Sequence, residues 1–357
     1  MRLGVDLRCM TEGEQGGIAT YARELIHRLP SHLGGFSCTG IVTGRSVRTP
    51  DVGFPVQHLR WPNKLTNASL IALHQPKLDQ RIGADVFFAP TPKYLALLPK
   101  TPLTLTVHDV SFLEHPEYFT TRQRFWHTWL RFPALLKRAA RIIAVSEYTA
   151  RDLIRLFPFV QEKVRVIGSG ADHVPAGQHA PLPNFPVQYL LAFAPRETRK
   201  NIANLLLAHQ QAFPKHRIPL VLVGSGSVPA QDGVMHIPYL QPEALWRALA
   251  NALAFIYPSL YEGFGFPPLE AMALDVPVIC SHVTSLPAVV GDAALLVDPW
   301  DPADIAEAMV TLVQDSALRQ TFIQHGQARV KHFTWERCAE QTAAVIRETI
   351  PTYAHRD

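Results

Sequence analysis

The chain has 357 residues, 47% of them hydrophobic, and 34 Lys+Arg against 30 Asp+Glu give it a net charge of +4. Such length and apolar content suit two globular domains of ordinary size. No stretch approaches the ~20 uninterrupted apolar residues of a membrane-spanning helix, and Met1 runs straight into a strand pattern instead of a signal peptide, so a cytoplasmic location is expected.

The four cysteines, Cys9, Cys38, Cys280 and Cys338, are too scattered for a zinc or disulfide framework and read as reduced, half-buried fillers. The 16 histidines never form a His-Glu-x-x-His cluster, and no metal site is expected. Charge is unevenly spread: residues 1–170 hold 22 Lys+Arg against 13 Asp+Glu, net +9, and the remainder 12 against 17, net −5. The first half therefore suits an anionic neighbour, whether a membrane surface, a phosphorylated acceptor or nucleic acid.

In chain order, short apolar runs alternate with amphipathic helical stretches, the pattern of parallel sheets wrapped by helices. The first half predicts strands at Leu3–Leu7, Thr39–Thr43, Val86–Ala89, Leu103–Val107 and Ile142–Val145, with helices from about Ala19, Thr121 and Glu147. Gly and Pro then punctuate Gly168–Pro183, a linker signal. The second half predicts strands at Tyr189–Phe193, Leu220–Val223, Ala254–Tyr257, Val276–Cys280 and Ala294–Val297, with helices from about Asn201, Pro242, Pro268, Pro302 and Ala317. No solenoid-length repeat or low-complexity tract interrupts this order.

The most informative segment runs from Pro258 through Tyr261-Glu262-Gly263-Phe264-Gly265 into a helix opened by Pro267-Pro268. Ligands of open α/β sheets bind beyond the carboxyl ends of strands, glycines let backbone N–H groups come close, and a helix start adds unpaired N–H groups and a positive dipole end. Glu262 on the loop and Glu270 in the helix's first turn can accept hydrogen bonds from a polyol such as a sugar or ribose. Alternatively, Glu270 is only a helix-start acid and Glu262 a solvated loop residue.

Three weaker signals accompany it. The loop Gly13-Glu14-Gln15-Gly16-Gly17, between first strand and first helix, is able to cradle phosphate or to serve as a plain turn, and it matches neither dinucleotide nor P-loop patterns. Arg196-Glu197-Thr198-Arg199-Lys200-Asn201 offers cations for a pyrophosphate leaving group, or is a solvated basic turn. His108-Asp109 ends a strand and is either ligand-facing or structural, while Ser146 is suited to cap the helix Tyr148–Leu156.

Together these segments resemble glycosyltransferase family 4, retaining sugar transferases of the GT-B fold: two doubly wound Rossmann-like α/β domains facing a cleft. The resemblance spans nearly the whole chain and rests on Gly16-Gly17 with the following helix, His108–Pro116, Val145–Thr149, Arg199-Lys200-Asn201 and Tyr257–Ala273, the last matching the family's E-x7-E motif with its Pro-Ser and Glu-Ala-Met-Ala flanks. It implies an acceptor domain over residues 1–172, a nucleotide-sugar domain over 184–333, and a last helix within 334–357, near Trp335–Ile346, that crosses back to the first domain.

By that resemblance Gly16 and Gly17 meet the donor, His108 contacts the transferred sugar, and Arg196 or Arg199 with Lys200 holds the pyrophosphate. Glu262, Gly263, Phe264 and Gly265 grip the sugar, Glu270 binds the ribose, Gly224, Tyr239, Leu240 and Ser259 complete the donor site, and Asp109 and Ser146 face the acceptor. The chain departs from the family in having only three residues between Arg196 and Lys200, Ala288 where Glu is frequent, and Asp275 where Gly is common.

The resemblance further implies retention by front-face attack, without metal or cofactor. His108–Phe119 looks most like members that transfer mannose in bacterial polysaccharide assembly, pointing to a GDP-mannose donor and a saccharide or lipid-linked oligosaccharide acceptor; a UDP- or dTDP-sugar donor (glucose, rhamnose) and a sugar-nucleotide epimerase are the alternatives. Residues 122–138 mix Arg and Lys with Phe125, Trp126 and Trp129, as a helix on an anionic membrane surface does, or as a core helix with solvated cations. No nucleic-acid partner is expected.

Overall fold

A computed structural model describes residues 1–11, 16–45, 47–177, 179–214 and 218–350. Gly13, Glu14 and Gln15 of the first Gly-rich loop lie outside the described residues. The chain divides into two compact units, one of Met1–Glu114, Thr120–Gly170 and the segment from Trp335, the other of His115–Phe119 and Ala171–Thr334.

The first unit runs β1 (Arg2–Asp6), α1 (Gly17–Arg28), β2 (Ser37–Thr43), β3 (Val56–Leu59), α2 (Asn63–Ala72), α3 (Leu78–Ile82), β4 (Val86–Ala89), β5 (Leu103–Val107), α4 (Ser111–Glu114), α5 (Thr121–Trp129), α6 (Phe132–Arg138), β6 (Arg141–Ala144), α7 (Glu147–Leu156) and β7 (Val164–Val166). Its seven parallel strands lie in the order β3-β2-β1-β4-β5-β6-β7. The inner strands are largely buried on both faces because helices cover both, as parallel sheets require; Phe87, Leu105, Val107 and Ile142 join Phe132, Leu136 and Leu153 in the core.

The second unit runs β8 (Leu190–Phe193), α8 (Ile202–Ala212), β9 (Leu220–Val223), β10 (Val234–Ile237), α9 (Pro242–Ala250), β11 (Ala254–Tyr257), α10 (Phe266–Ala273), β12 (Val278–Ser281), α11 (Leu286–Val290), β13 (Ala294–Val297), α12 (Pro302–Gln314) and α13 (Ser316–Val330). Its six parallel strands lie in the order β10-β9-β8-β11-β12-β13, over a core that includes Leu190, Leu205, Leu222, Ile256, Ile279, Ile305 and Leu312. α14 (Trp335–Glu348) follows and belongs to the first unit, where buried Trp335 meets Tyr21 edge-on at 6.0 Å and Glu348 pairs with Arg141 at 2.8 Å and Arg165 at 3.0 Å.

All ten strands expected from sequence are present, five with the expected ends and five with ends shifted by one or two residues, and β3, β7 and β10 are additional. Each of these three lies at a sheet edge, where one flank lacks a partner. The cysteines are buried rather than half-buried, and burial pushes the Cys280 thiol far up. No helix is long and apolar enough to cross a membrane among the described residues.

In each sheet, strand order reverses at one place, between β1 and β4 and between β8 and β11. The loops leaving two such strands part to opposite faces and leave a crevice at their carboxyl ends. In the second unit those loops carry Arg196–Lys200 after β8 and Pro258–Gly265 after β11, segments about sixty residues apart in sequence.

Candidate active site

The crevice of the second unit is organised around Glu262. Its Oε1 accepts from Lys200 Nζ at 2.6 Å, Tyr257 OH at 2.8 Å and Ser259 Oγ at 2.5 Å, and its Oε2 pairs with Arg199 Nη1 at 2.8 Å. Only 7% of the residue is exposed. The solvated-loop alternative therefore fails: this is a buried carboxylate with four partners. Burial by itself raises its pKa, but Arg199 and then Lys200 outweigh that and hold it at about 2. Burial, with Arg199 second among the lowering causes, pulls the Lys200 ammonium down while Glu262 resists, and burial with Glu262 pushes the Tyr257 hydroxyl well up.

The loop is held from several sides. Ser285 Oγ donates to the carbonyls of Glu262 at 2.9 Å and Phe264 at 2.7 Å, and Glu262 N donates to Thr284 Oγ1 at 3.2 Å. Thr284 itself sits at φ 60°, a costly left-handed conformation for a β-branched residue that its neighbours must enforce. Gly265, at φ 123°, is the N-cap residue of α10, and a side chain there would press on Leu286 at 2.8 Å. Pro267 and Pro268 carry no N–H, so the first turn of α10 offers fewer donors than the sequence pattern suggests.

The cations differ from one another. Arg199 is shared between Glu262, Glu197 at 2.5 Å and the Tyr261 carbonyl at 2.7 Å, so two carboxylates offset two of the cluster's cations, Arg199 and Lys200. Lys200 uses two ammonium hydrogens, on Glu262 and on Tyr257 OH at 2.6 Å. Arg196 is exposed, makes no ion pair among the described residues and is steadied only by Nε donating to Ser225 O at 3.1 Å, beside Gly224. It is the surplus positive charge of the crevice.

Glu270 is the fifth residue of α10, beyond the first turn where the sequence placed it. Its Oε1 lies 3.0 Å from Nε2 of His173, a residue of the stretch read only as linker, and the His173 ring sits edge-on to Phe266 and Trp246. Ser259, buried, belongs to the Glu262 network; Tyr239 is 65% exposed and Leu240 partly so, on the turn before α9; Gly224, at φ 144°, packs against the Ala194 carbonyl too closely for any side chain. Tyr257, His173 and Thr284 were missed by sequence reasoning, because a strand-terminal Tyr and isolated polar residues carry no spacing signal. Asp275, where the family favours Gly, sits at φ 61°, which accounts for that preference and which Asp tolerates.

His115 and Tyr118 join this unit: the His115 ring is edge-on to Tyr261 at 5.4 Å, and the Tyr118 hydroxyl is pushed up by burial first, with Arg199 pulling the other way.

In the first unit, His108 follows β5. Its ring stands edge-on to Tyr21 at 4.8 Å and Nε2 lies 2.8 Å from the Pro90 carbonyl, which only accepts, so Nε2 carries the proton and Nδ1 is left as an acceptor. Burial pulls its pKa down and keeps the ring neutral near pH 7. Asp109 accepts from Ser111 N at 2.9 Å and Oγ at 2.6 Å. Ser146 caps α7, as expected, by accepting from Thr149 N at 3.1 Å, and Thr149 Oγ1 in turn donates to the His108 carbonyl at 3.3 Å. Gly16, at φ 93°, precedes α1, and Gly17 is its first residue.

Two parallel doubly wound sheets with strand-end sites are the GT-B fold of glycosyltransferases. The chain aligns with sucrose-phosphate synthase from Thermosynechococcus elongatus at a TM-score of 0.74 and 20% identity, over 97% of this chain and 98% of that one. Residues 184–329 match the family described as Glycosyl transferases group 1, and residues 15–174 match Glycosyltransferase Family 4. O-antigen chain mannosyltransferase B of Escherichia coli is 35% identical over 260 residues, 66% of this chain and 68% of that protein. Serotype-specific mannosyltransferase WbdA of Escherichia coli is 26% identical over 259 residues, 65% of this chain but 32% of that larger protein. The chain belongs to glycosyltransferase family 4.

Proposed function

We propose that the chain transfers mannose from GDP-mannose to a saccharide or lipid-linked oligosaccharide acceptor in polysaccharide assembly, with retention and without a metal ion. The observation that carries this reading is the crevice of the second unit, where Glu262 binds both Arg199 and Lys200 in place and leaves Arg196 as uncompensated charge beside Gly224. Its sugar specificity is drawn from the mannosyltransferase relatives.

In this mechanism the donor's diphosphate meets Arg196 and the third Lys200 hydrogen. Fixed cations aimed at the phosphate stabilise the charge that develops as the sugar–oxygen bond breaks, without reorganising at that moment. The acceptor hydroxyl attacks the same face and passes its proton to the departing phosphate oxygen. Glu270 accepts from the ribose hydroxyls. Glu262, with Oε1 accepting three bonds and Oε2 paired with Arg199, offers a sugar hydroxyl only the second lone pair of Oε2 and acts mainly by holding the two cations. Within the first unit, neutral His108 presents Nδ1 to a hydroxyl, and Asp109 and Ser146 flank it on the following loops. Residues 122–138 meet an anionic membrane surface on the cytoplasmic face.

The test is a thermal-shift panel of GDP-, UDP- and dTDP-sugars followed by transfer assays in excess chelator. GDP-mannose is expected to give the largest shift, with unchanged turnover in chelator. A larger shift from a UDP- or dTDP-sugar sinks the donor assignment, loss of turnover in chelator sinks the metal-free route, and donor consumption without acceptor points to an epimerase.

A further inference from the structure

The first unit holds a second feature that sugar transfer does not use. None of the residues of α5 is buried, and Phe125, Trp126 and Trp129 are 57%, 41% and 48% exposed. Their rings lie within 6.2 Å of one another along the pairs Phe125–Trp126 and Phe125–Trp129, so they form one patch. From Glu117 to Glu147 the chain contains no acidic residue between those two but carries Arg122, Arg124, Arg131, Lys137, Arg138 and Arg141. Rings that are apolar yet polarisable beside several cations suit the headgroup level of a bilayer, where cations near an anionic surface are attracted to it.

Next to the end of α5 opens a cavity of about 260 Å³. Leu70, Ile71, Leu95, Leu130 and Leu135 give it an apolar wall, and His74, Lys77, Lys93 and Arg131 also line it. No acidic residue does. Arg138, the remaining cation of the lining, is committed to the carbonyls of Leu98 and Thr101. Among the described residues Lys77 and Arg131 have no carboxylate partner within ion-pair distance. Leu73, 70% exposed at the end of α2, and Trp129 stand on the two elements that flank the opening.

We infer that this cavity receives part of one anionic phospholipid molecule, one acyl chain along the Leu70–Leu135 wall and the phosphate at Lys77 and Arg131, while the α5 rings rest in the surrounding interface. The assignment rests on the reading that residues 122–138 meet an anionic membrane, and it adds a discrete site to a diffuse surface. A cavity with apolar walls and a few convergent cations recognises an amphiphilic anion rather than a free ion, because phosphate alone leaves the wall uncovered.

The site and the surface are separable experimentally. Dihexanoyl phosphatidylglycerol, titrated below its micelle concentration, is expected to bind the protein as a monomer, and vesicles containing phosphatidylglycerol are expected to retain it at low salt. Ala134→Trp, at an exposed lining position, fills the cavity and is expected to weaken monomer binding by at least about tenfold with vesicle retention largely kept. Lys77→Glu with Arg131→Glu is expected to weaken both. Phe125→Ser with Trp126→Ser is expected to lose vesicle retention and keep monomer binding. Absence of monomer binding with vesicle retention intact overturns the site and leaves the surface reading standing. Equal binding of dihexanoyl phosphatidylcholine, equal binding of inorganic phosphate, or undiminished binding to a folded Ala134→Trp variant overturns it as well. Monomer binding without vesicle retention supports the site and sinks the surface.

Discussion

The two units build strand-end sites on the same sheet order and fill them with opposite chemistry. After β5, His108 is held by a carbonyl and an aromatic edge and kept neutral by burial. After β11, Glu262 is buried as an ion and kept charged by Arg199 and Lys200. Topology thus supplies the crevice, and the side chains decide whether it presents a neutral acceptor or fixed charge. Burying charge is costly unless every ion is paired and hydrogen-bonded, so the second site is also the more sensitive to truncation.

The sharpest way to break this contrast is Glu262→Ala. It leaves Lys200 and Arg199 without their shared anion and is expected to cost ~3–5 kcal/mol in urea unfolding, with turnover down by at least about a hundredfold; a loss no larger than that of His108→Ala would erase the difference between the sites. Acid separates them next. The lowered pKa of His108 makes its stabilising contribution fall as pH drops below the ordinary imidazole value near 6.5, whereas that of Glu262 persists to about 4.5 and is lost on the way to about 2, on the order of 3 kcal/mol in all. The stability gap between wild type and Glu262→Gln should therefore stay constant above about pH 4.5 and close only below it, and a gap that already shrinks near pH 6 would refute the assignment.

Within the charged site, Glu270→Ala is expected to raise the donor KM about tenfold with kcat nearly unchanged, since it removes binding shared by ground and transition states. A fall in kcat with KM intact would move Glu270 into the chemistry. The smallest effect belongs to the neutral site. Tyr21→Phe removes the 3.1 Å contact with Thr106 Oγ1 and should cost ~1 kcal/mol in stability; a cost as large as that of Glu262→Ala would show that polar burial in the first unit matters just as much.

Much of the fold was legible because several inner parallel strands, buried on both faces, read as uninterrupted apolar runs, such as Val86–Ala89 and Leu220–Val223, both buried throughout. β3, β7 and β10 were not legible: Val-Gln-His-Leu, Val-Arg-Val and Val-Met-His-Ile are short, half-exposed and mixed in polarity, as edge strands are. Short helices α2 and α3 escaped for the same want of a periodic apolar face, while residues 122–138, read as one helix, divide into α5 and α6. In the site, the Glu262–Glu270 spacing and the basic turn Arg196–Lys200 were visible as separate motifs, while His173 lay inside a stretch whose Gly and Pro content announced only a linker.

From the sequence alone came two doubly wound domains, the family, and the residue types of the strand-end loops, since those depend on local patterning and on motifs read over short spans. Only the tertiary structure decided what those residues do to one another. Reversal of strand order between β8 and β11 sets Arg199 and Lys200 against a carboxylate some sixty positions away, and burial at that point converts an apparently solvated loop acid into an ion held at about pKa 2. Local sequence carries no record of such long-range pairing or of the desolvation that gives it strength, and for that reason which of Arg196, Arg199 and Lys200 pair with carboxylates emerged only from the fold.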